Sequence, residues 1–126
     1  MIDHLSVGSH RYTESVAFYR QVLAPLGIAM QRDTGKEAAF GTEDQWCFFL
    51  YPVAAEEAVL GRGMHIAWRA ASRGAVEAVH KAALESGGAD LFTPRERPDI
   101  SPTYYGAMFT DLDGHRIEVK TDAAKG

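Results

Sequence analysis

Two stretches of this chain align with each other at a fixed offset of 61 residues, and that self-match constrains the fold more than any other feature. The segment HLSVGSHRYTESVAFYRQVLAPLGIAM, from His4, reads against HIAWRAASRGAVEAVHKAALESGGADL, from His65. His4/His65, Ala17/Ala78, Leu23/Leu84 and Gly27/Gly88 are identical, and Leu5/Ile66, Phe18/Val79 and Met30/Leu91 are conservative. Self-similarity at a fixed period marks a duplicated structural unit, so the chain has to be read as two copies of one motif. Each copy opens on its histidine. Packed with pseudo-twofold symmetry, the copies would bring the two imidazoles toward one axis.

Each copy reads as a strand, a helix and three more strands. In the first, Ile2–Gly8 alternates apolar and polar residues and ends at Gly8–Ser9, the signature of a strand. Thr13 or Ser15 is placed to cap a helix whose apolar positions are Val16, Tyr19, Val22, Leu23 and Leu26, with Pro25–Leu26–Gly27 stopping it. Strands follow at Ile28–Asp33, Glu37–Phe40 and Gln45–Tyr51, and Val53–Arg62 is the linker. In the second copy the strand is Met64–Arg69, and Ser72 caps a helix with the stripe Val76, Val79, Ala83 and Leu84. Further strands are predicted at Asp90–Thr93, Thr103–Asp111 and His115–Lys120. The tetrad Asp111–Leu112–Asp113–Gly114 has turn chemistry between the last two. That hairpin matches the first copy at an offset of 69, so eight residues are inserted earlier, within Arg95–Pro102. The polar, proline-rich character of that stretch predicts a loop rather than a strand, a lid over the site or a surface excursion.

A chain of 126 residues with 46% hydrophobic content suits one compact domain with a real core, here a single domain over 1–126 made of modules 1–60 and 61–122. A net charge of −4 argues against a nucleic-acid partner. One cysteine, Cys47, excludes a disulfide framework and fits a reducing compartment. No leader and no bilayer-length apolar run is visible, so the expectation is a cytoplasmic protein without membrane partners.

The two βαβββ units, carried by IDHLSVGSHRYTESVAFYRQVLAPLGI and TDLDGHRIEV, resemble the vicinal oxygen chelate superfamily of glyoxalase I, bleomycin-resistance proteins, fosfomycin-resistance enzymes and extradiol dioxygenases. The resemblance covers the chain up to Thr121. It implies an α+β fold in which the two modules form an open, cup-shaped eight-stranded sheet with helices outside. The modules would share little besides the linker, and a divalent metal would lie at the base of the cup. It also implies a homodimer, since open sheets leave edges to be covered, and the site could be built within one chain or across the dimer, because such units can be exchanged between subunits.

Strand alternation selects what faces that cup, since successive side chains point to opposite faces. Leu5, Val7, Ile66, Trp68, Ile117 and Val119 suit the packed face, which turns His4, Ser6, His65, Arg69, Arg116, Glu118 and Lys120 inward. The family's ligand positions match His4, His65 and Glu118. Two imidazoles and a carboxylate with open positions suit a divalent ion such as Zn, Fe(II), Mn or Ni. The fourth family position is Phe49, which cannot ligate, and this departs from glyoxalase I. Phe49, Arg69 and Arg116 are candidates for substrate binding, although the arginines read equally as solvated strand ends. Ser6 and one of Tyr104 and Tyr105, which have opposite parity, are candidates for proton transfer. Trp46, Phe48, Trp68 and Phe109 read as core, His80 as packing, His10 and His115 as exposed, and Cys47 as lining the cup beside Phe49. Three functions from different classes follow. One is a metal-dependent lyase, dioxygenase or transferase acting on a small oxygen-rich substrate by bidentate chelation, distinct from glyoxalase I. Another is a metal-free binding protein of the bleomycin-resistance type. The third is a metal-binding relic with a structural or regulatory role.

Overall fold

The computed structural model describes residues 1–124. In chain order the elements are β1 (Leu5–Ser9), α1 (Tyr12–Val22), a single 3₁₀ turn (Ala24–Leu26), β2 (Ala29–Asp33), β3 (Ala38–Gly41) and β4 (Trp46–Pro52). The second module repeats them as β5 (His65–Arg69), α2 (Arg73–Glu85), β6 (Asp90–Glu96), β7 (Tyr105–Thr110) and β8 (Arg116–Thr121). The strands form two four-stranded sheets, ordered β1-β4-β3-β2 and β5-β8-β7-β6. In each, the first and last strands of the module run parallel and the rest antiparallel. A parallel pair needs a crossover, and the helix of each module supplies it. The duplication is in register as well as in sequence: Ser6 lies opposite Phe49 in one sheet, and Ala67 opposite Glu118 in the other.

Local chemistry accounts for most element ends. Ser72 has extended backbone angles and its hydroxyl accepts from Ala75 N–H at 3.1 Å, capping α2 as predicted. Neither Thr13 nor Ser15 caps α1; the helix starts one residue earlier, at Tyr12, without a side-chain cap. Ser15 lies inside the helix with its hydroxyl turned to Asp113. The stretch predicted as a loop is partly strand. β6 continues to Glu96, with Arg95 opposite Gly106 and Glu96 opposite Tyr105. A register shift between Phe92 and Arg95 accommodates Pro94, which has no N–H to give the ladder, and β6 is an edge strand where such a break is tolerated.

The α+β class and the two βαβββ modules are as expected; the way they meet within one chain is not. The inward residues of both sheets and both helices form one core that includes Val7, Tyr19, Phe48 and Leu50 from module one and Val76, Phe109, Ile117 and Val119 from module two. Phe48 of β4 meets Trp68 of β5 edge to face at 5.6 Å, and Phe18 of α1 meets Phe109 of β7 at 6.4 Å. The helix-covered faces of the two sheets are therefore turned toward a shared interior. The modules share a core rather than merely a linker, because each helix offers an apolar face too wide for its own sheet to cover.

Candidate metal centre on the open faces

On the open face of the second sheet, side chains stand in rows set by strand register. His65, Arg116 and Thr110 make the first row; Ala67, Glu118, Met108 and Phe92 the second; Arg69, Lys120, Gly106 and Arg95 the third. His65 Nε2 lies 3.2 Å from Glu118 Oε1, and the Tyr104 hydroxyl donates to Glu118 Oε2 at 2.7 Å. Tyr104 reaches the carboxylate because Gly106 lacks a side chain, which lets the phenol lie flat on that strand. Burial, and then the hydrogen bond and negative charge of Glu118, push the Tyr104 hydroxyl well above its ordinary pKa. It is a fixed donor there, not a base. Tyr105 takes the opposite face, with its hydroxyl on Glu77 of α2 at 2.7 Å and Arg73 stacked on its ring. The two tyrosines part as their parity requires.

The first sheet carries the other candidates. His4 stands just ahead of β1, its Nδ1 2.7 Å from Asp3 and its ring 5.2 Å from that of Phe49. Ser6 faces outward on β1 beside Phe49, its partner across the ladder. His4 does not join His65 and Glu118. Among the described residues, the one group of three or more such side chains with ligand atoms all within 4.8 Å of one another is Asp111, Asp113 and His115. Of the two arrangements the sequence allowed, a site within one chain or across two, the single chain does not gather both imidazoles. Arg69 and Arg116 are exposed on the same face as Glu118, where alternation placed them.

Residues 1–119 match the model of the Glyoxalase/Bleomycin resistance protein/Dioxygenase superfamily. The chain belongs to that superfamily. A glyoxalase/bleomycin resistance protein from Albidiferax ferrireducens T118 superposes with a TM-score of 0.85 at 24% identity, covering 96% of this chain and 98% of that one. A glyoxalase/bleomycin resistance protein/dioxygenase family enzyme from Burkholderia phytofirmans PsJN gives 0.73 at 15% identity, with 96% and 98% covered. A glyoxalase-related enzyme from Fulvimarina pelagi gives 0.72 at 17% identity, with 96% and 87% covered. At such identities these likenesses show the fold alone. No protein of curated function matches the sequence.

For this member of the superfamily, the cluster at the β7–β8 turn has a separate role. Asp111 accepts from the Tyr19 hydroxyl at 2.5 Å, from His115 Nδ1 at 2.7 Å and from the backbone N–H groups of Asp113 and His115. Asp113 accepts from Ser9 Oγ at 2.5 Å, Ser15 Oγ at 3.2 Å and His10 N–H at 2.8 Å. Three metal-capable side chains lie together here, but their carboxylate oxygens are already engaged by donors from both modules. The arrangement is a polar clasp between the modules. His115, expected to be exposed, is buried there: it also reaches the Val59 carbonyl through Nε2 at 2.8 Å. Its position four residues past Asp111, across the turn, is the sequence signal that could have shown this.

Other expectations sort by local geometry. Phe48 and Phe109 are core, and Trp68 packs against it. Trp46 is not core, because a register shift after Phe40 breaks the alternation of β4. Cys47 thereby packs against the core instead of lining the open face, and Trp46 lies under the Arg32 guanidinium at 5.0 Å. His80 is buried against Phe109 and bound to Asp90 at 2.7 Å. Among the described residues no helix is long and apolar enough to cross a membrane.

Proposed function

We propose that this protein is a metal-dependent enzyme of the glyoxalase/dioxygenase type. In this reading two copies of the chain together complete each site, with His4 from one subunit and His65 and Glu118 from the other. The observation that carries it is the His65–Glu118 pair on an outward face, with Glu118 held from behind by Tyr104. The donor set fits a divalent ion: an imidazole and a carboxylate on adjacent strands, with one oxygen of the carboxylate already oriented by a phenol. Both histidines also lie at unpaired edges, since β1 and β5 each have a neighbour on one side only. Unpaired edges are covered in stable proteins. Beside β5 opens a cavity of about 450 Å³ lined by Leu60, Met64, Ile66, His65 and Arg116, with Leu60 and Met64 half exposed. A second copy's β1, led by the exposed Ile2, supplies both an edge to pair and apolar surface to cover.

A divalent ion there supplies Lewis acidity toward a substrate that offers two neighbouring oxygens. The chain's own residues do the rest. Tyr104 keeps Glu118 from rotating and, remaining protonated, offers no competing base. Phe49, whose ring lies 5.2 Å from that of His4, would present an apolar wall beside a bound ion. Ser6 stands on the same face as Phe49 as a hydroxyl within reach of a bound molecule, and Arg116 lies in the row of His65.

The test is complementation. His4→Ala and His65→Ala homodimers should each bind no divalent metal. A heterodimer of the two restores one intact site of the two, so metal content should return to half of wild type. Recovery of none, or retention by either homodimer, refutes the shared site. A second reading has one observation in its favour: His65–Glu118 and His4–Asp3 are pairs that need no ion. If wild-type dimer takes up no metal, the protein is a metal-free binder of small molecules using the same faces.

A further inference from the structure

The third row of the second sheet has a composition that folding alone does not favour. Arg69, Lys120 and Arg95 stand on the same face of three strands, with Gly106, covered by the Tyr104 ring, between the last two. Like charges on neighbouring strands repel. Lys120 is paired with Asp122. The ion-paired arginines among the described residues are Arg32, Arg73 and Arg97, so within this row neither Arg69 nor Arg95 has a carboxylate partner. Arg95 is held in place: its guanidinium stacks on Phe92 at 4.7 Å, and Arg97, clamped by Asp99, covers the same ring at 5.5 Å. In a protein of net charge −4, two arginines without ion pairs thus share the row next to that of Glu118.

We infer that this row is a seat for an anion. The ligand of this face is then a small molecule with a carboxylate, phosphate or phosphonate group roughly 7 Å, two residues along a strand, from the oxygens that meet His65 and Glu118. The argument rests on the metal reading for the second anchor, but the anion seat itself does not. A guanidinium stacked on an aromatic ring presents its N–H fork edge-on, which suits a planar or tetrahedral oxyanion, and its preorganisation reduces the entropy lost on binding. The insertion that distinguishes module two supplies Arg95 and Arg97, so the anion seat has no counterpart in module one.

The experiment uses metal-free wild-type protein in low salt with inorganic phosphate and malonate as probes, followed by backbone NMR shifts. Saturable shifts at the Arg69, Gly106 and Lys120 amides are expected with at least one probe. The R69Q/R95Q double variant should weaken that binding at least about tenfold, the loss of one good charge-assisted contact. R69Q and R95Q alone should each weaken it less, and R20Q, on an exposed position of α1, should leave it unchanged. The double variant should also unfold at a temperature no lower than wild type, since a repulsion has been removed, and phosphate should no longer raise that temperature. Absence of saturable shifts in wild type, an unchanged affinity in R69Q/R95Q, or an equal loss in R20Q overturns the inference. His65→Ala, which should lose the metal, should keep the anion shifts, so failure of either reading is visible apart from the other.

Discussion

Replacing Gly106 by alanine tests whether Tyr104 is held where the site needs it. A glycine inside a strand is ordinarily a weak point, and alanine there should stabilise by a few tenths to about 1 kcal/mol through the unfolded state. Here the sign should reverse. A methyl at position 106 would stand 2.6 Å from Tyr104 Cζ and 2.8 Å from the Val119 carbonyl oxygen, and closer still to the phenol oxygen. The carbonyl belongs to the neighbouring ladder and cannot retreat, so the ring of Tyr104, only 1% exposed, has to move. Moving it breaks the 2.7 Å bond to Glu118, about 1.5–3 kcal/mol for a hydrogen bond to a charged acceptor. Overpacking adds about 1 kcal/mol or more. The expected cost is about 3 kcal/mol, or a fall of roughly 10 °C in midpoint for a domain of this size. Urea unfolding of Gly106→Ala, Tyr104→Leu and the double variant reads it directly. With the phenol absent, the same alanine should cost little, giving a coupling energy above about 1 kcal/mol. A single variant as stable as wild type, or an equal cost in both backgrounds, refutes the reasoning.

Three further outcomes are expected. Glu118→Ala should abolish divalent-metal uptake, whereas Phe49→Glu, which places a carboxylate at the register position equivalent to Glu118, should tighten it; isothermal titration measures both. Tyr19→Phe removes one donor from the buried Asp111 carboxylate and should cost about 1.5–3 kcal/mol in urea unfolding, with no gain from the lost polar group. The third outcome concerns pH. Burial pulls the His115 pKa down, but the hydrogen bond and charge of Asp111, the Val59 carbonyl and Asp113 outweigh it, and the net shift is upward from 6.5. A raised folded pKa makes this stabilisation complete below about pH 6.5 and removes it as pH climbs through the folded value. Unfolding free energy should therefore decline above pH 6.5 in wild type and lose that slope in His115→Gln, as denaturant titrations across pH would show.

Several features were legible in the sequence because they depend on neighbours along the chain. The alternation Leu5–Ser6–Val7 and Ile117–Glu118–Val119 chose the packed and open faces, since a strand turns by half a circle per residue whatever lies beyond it. The two offsets, 61 across the first strands and 69 across the last, placed Glu118 and Phe49 at equivalent positions, and the ladders Ala67↔Glu118 and Ser6↔Phe49 have that register. Where a ladder slipped, the local pattern misled: the register shifts at Phe40–Gly41 and Phe92–Arg95 turned Trp46 outward and carried Arg95 into a strand. A bulge is a property of two strands together, so neither strand's pattern announces it.

What the duplicated sequence determined by itself was the module: its element order, its two faces and the residues that each face presents. How the modules meet was decided by tertiary structure alone. A pair of βαβββ units can pack open face to open face or through their helices, and the same alternation serves both. In this chain the contacts Phe48–Trp68 and Phe18–Phe109, with the buried clasp of Tyr19, Asp111 and His115, join the helix-covered sides. Those contacts span residues far apart in sequence, and their energies depend on area and complementarity that no local period records. They are the reason His4 and His65, aligned in the repeat, stand on outward faces that one chain does not bring together.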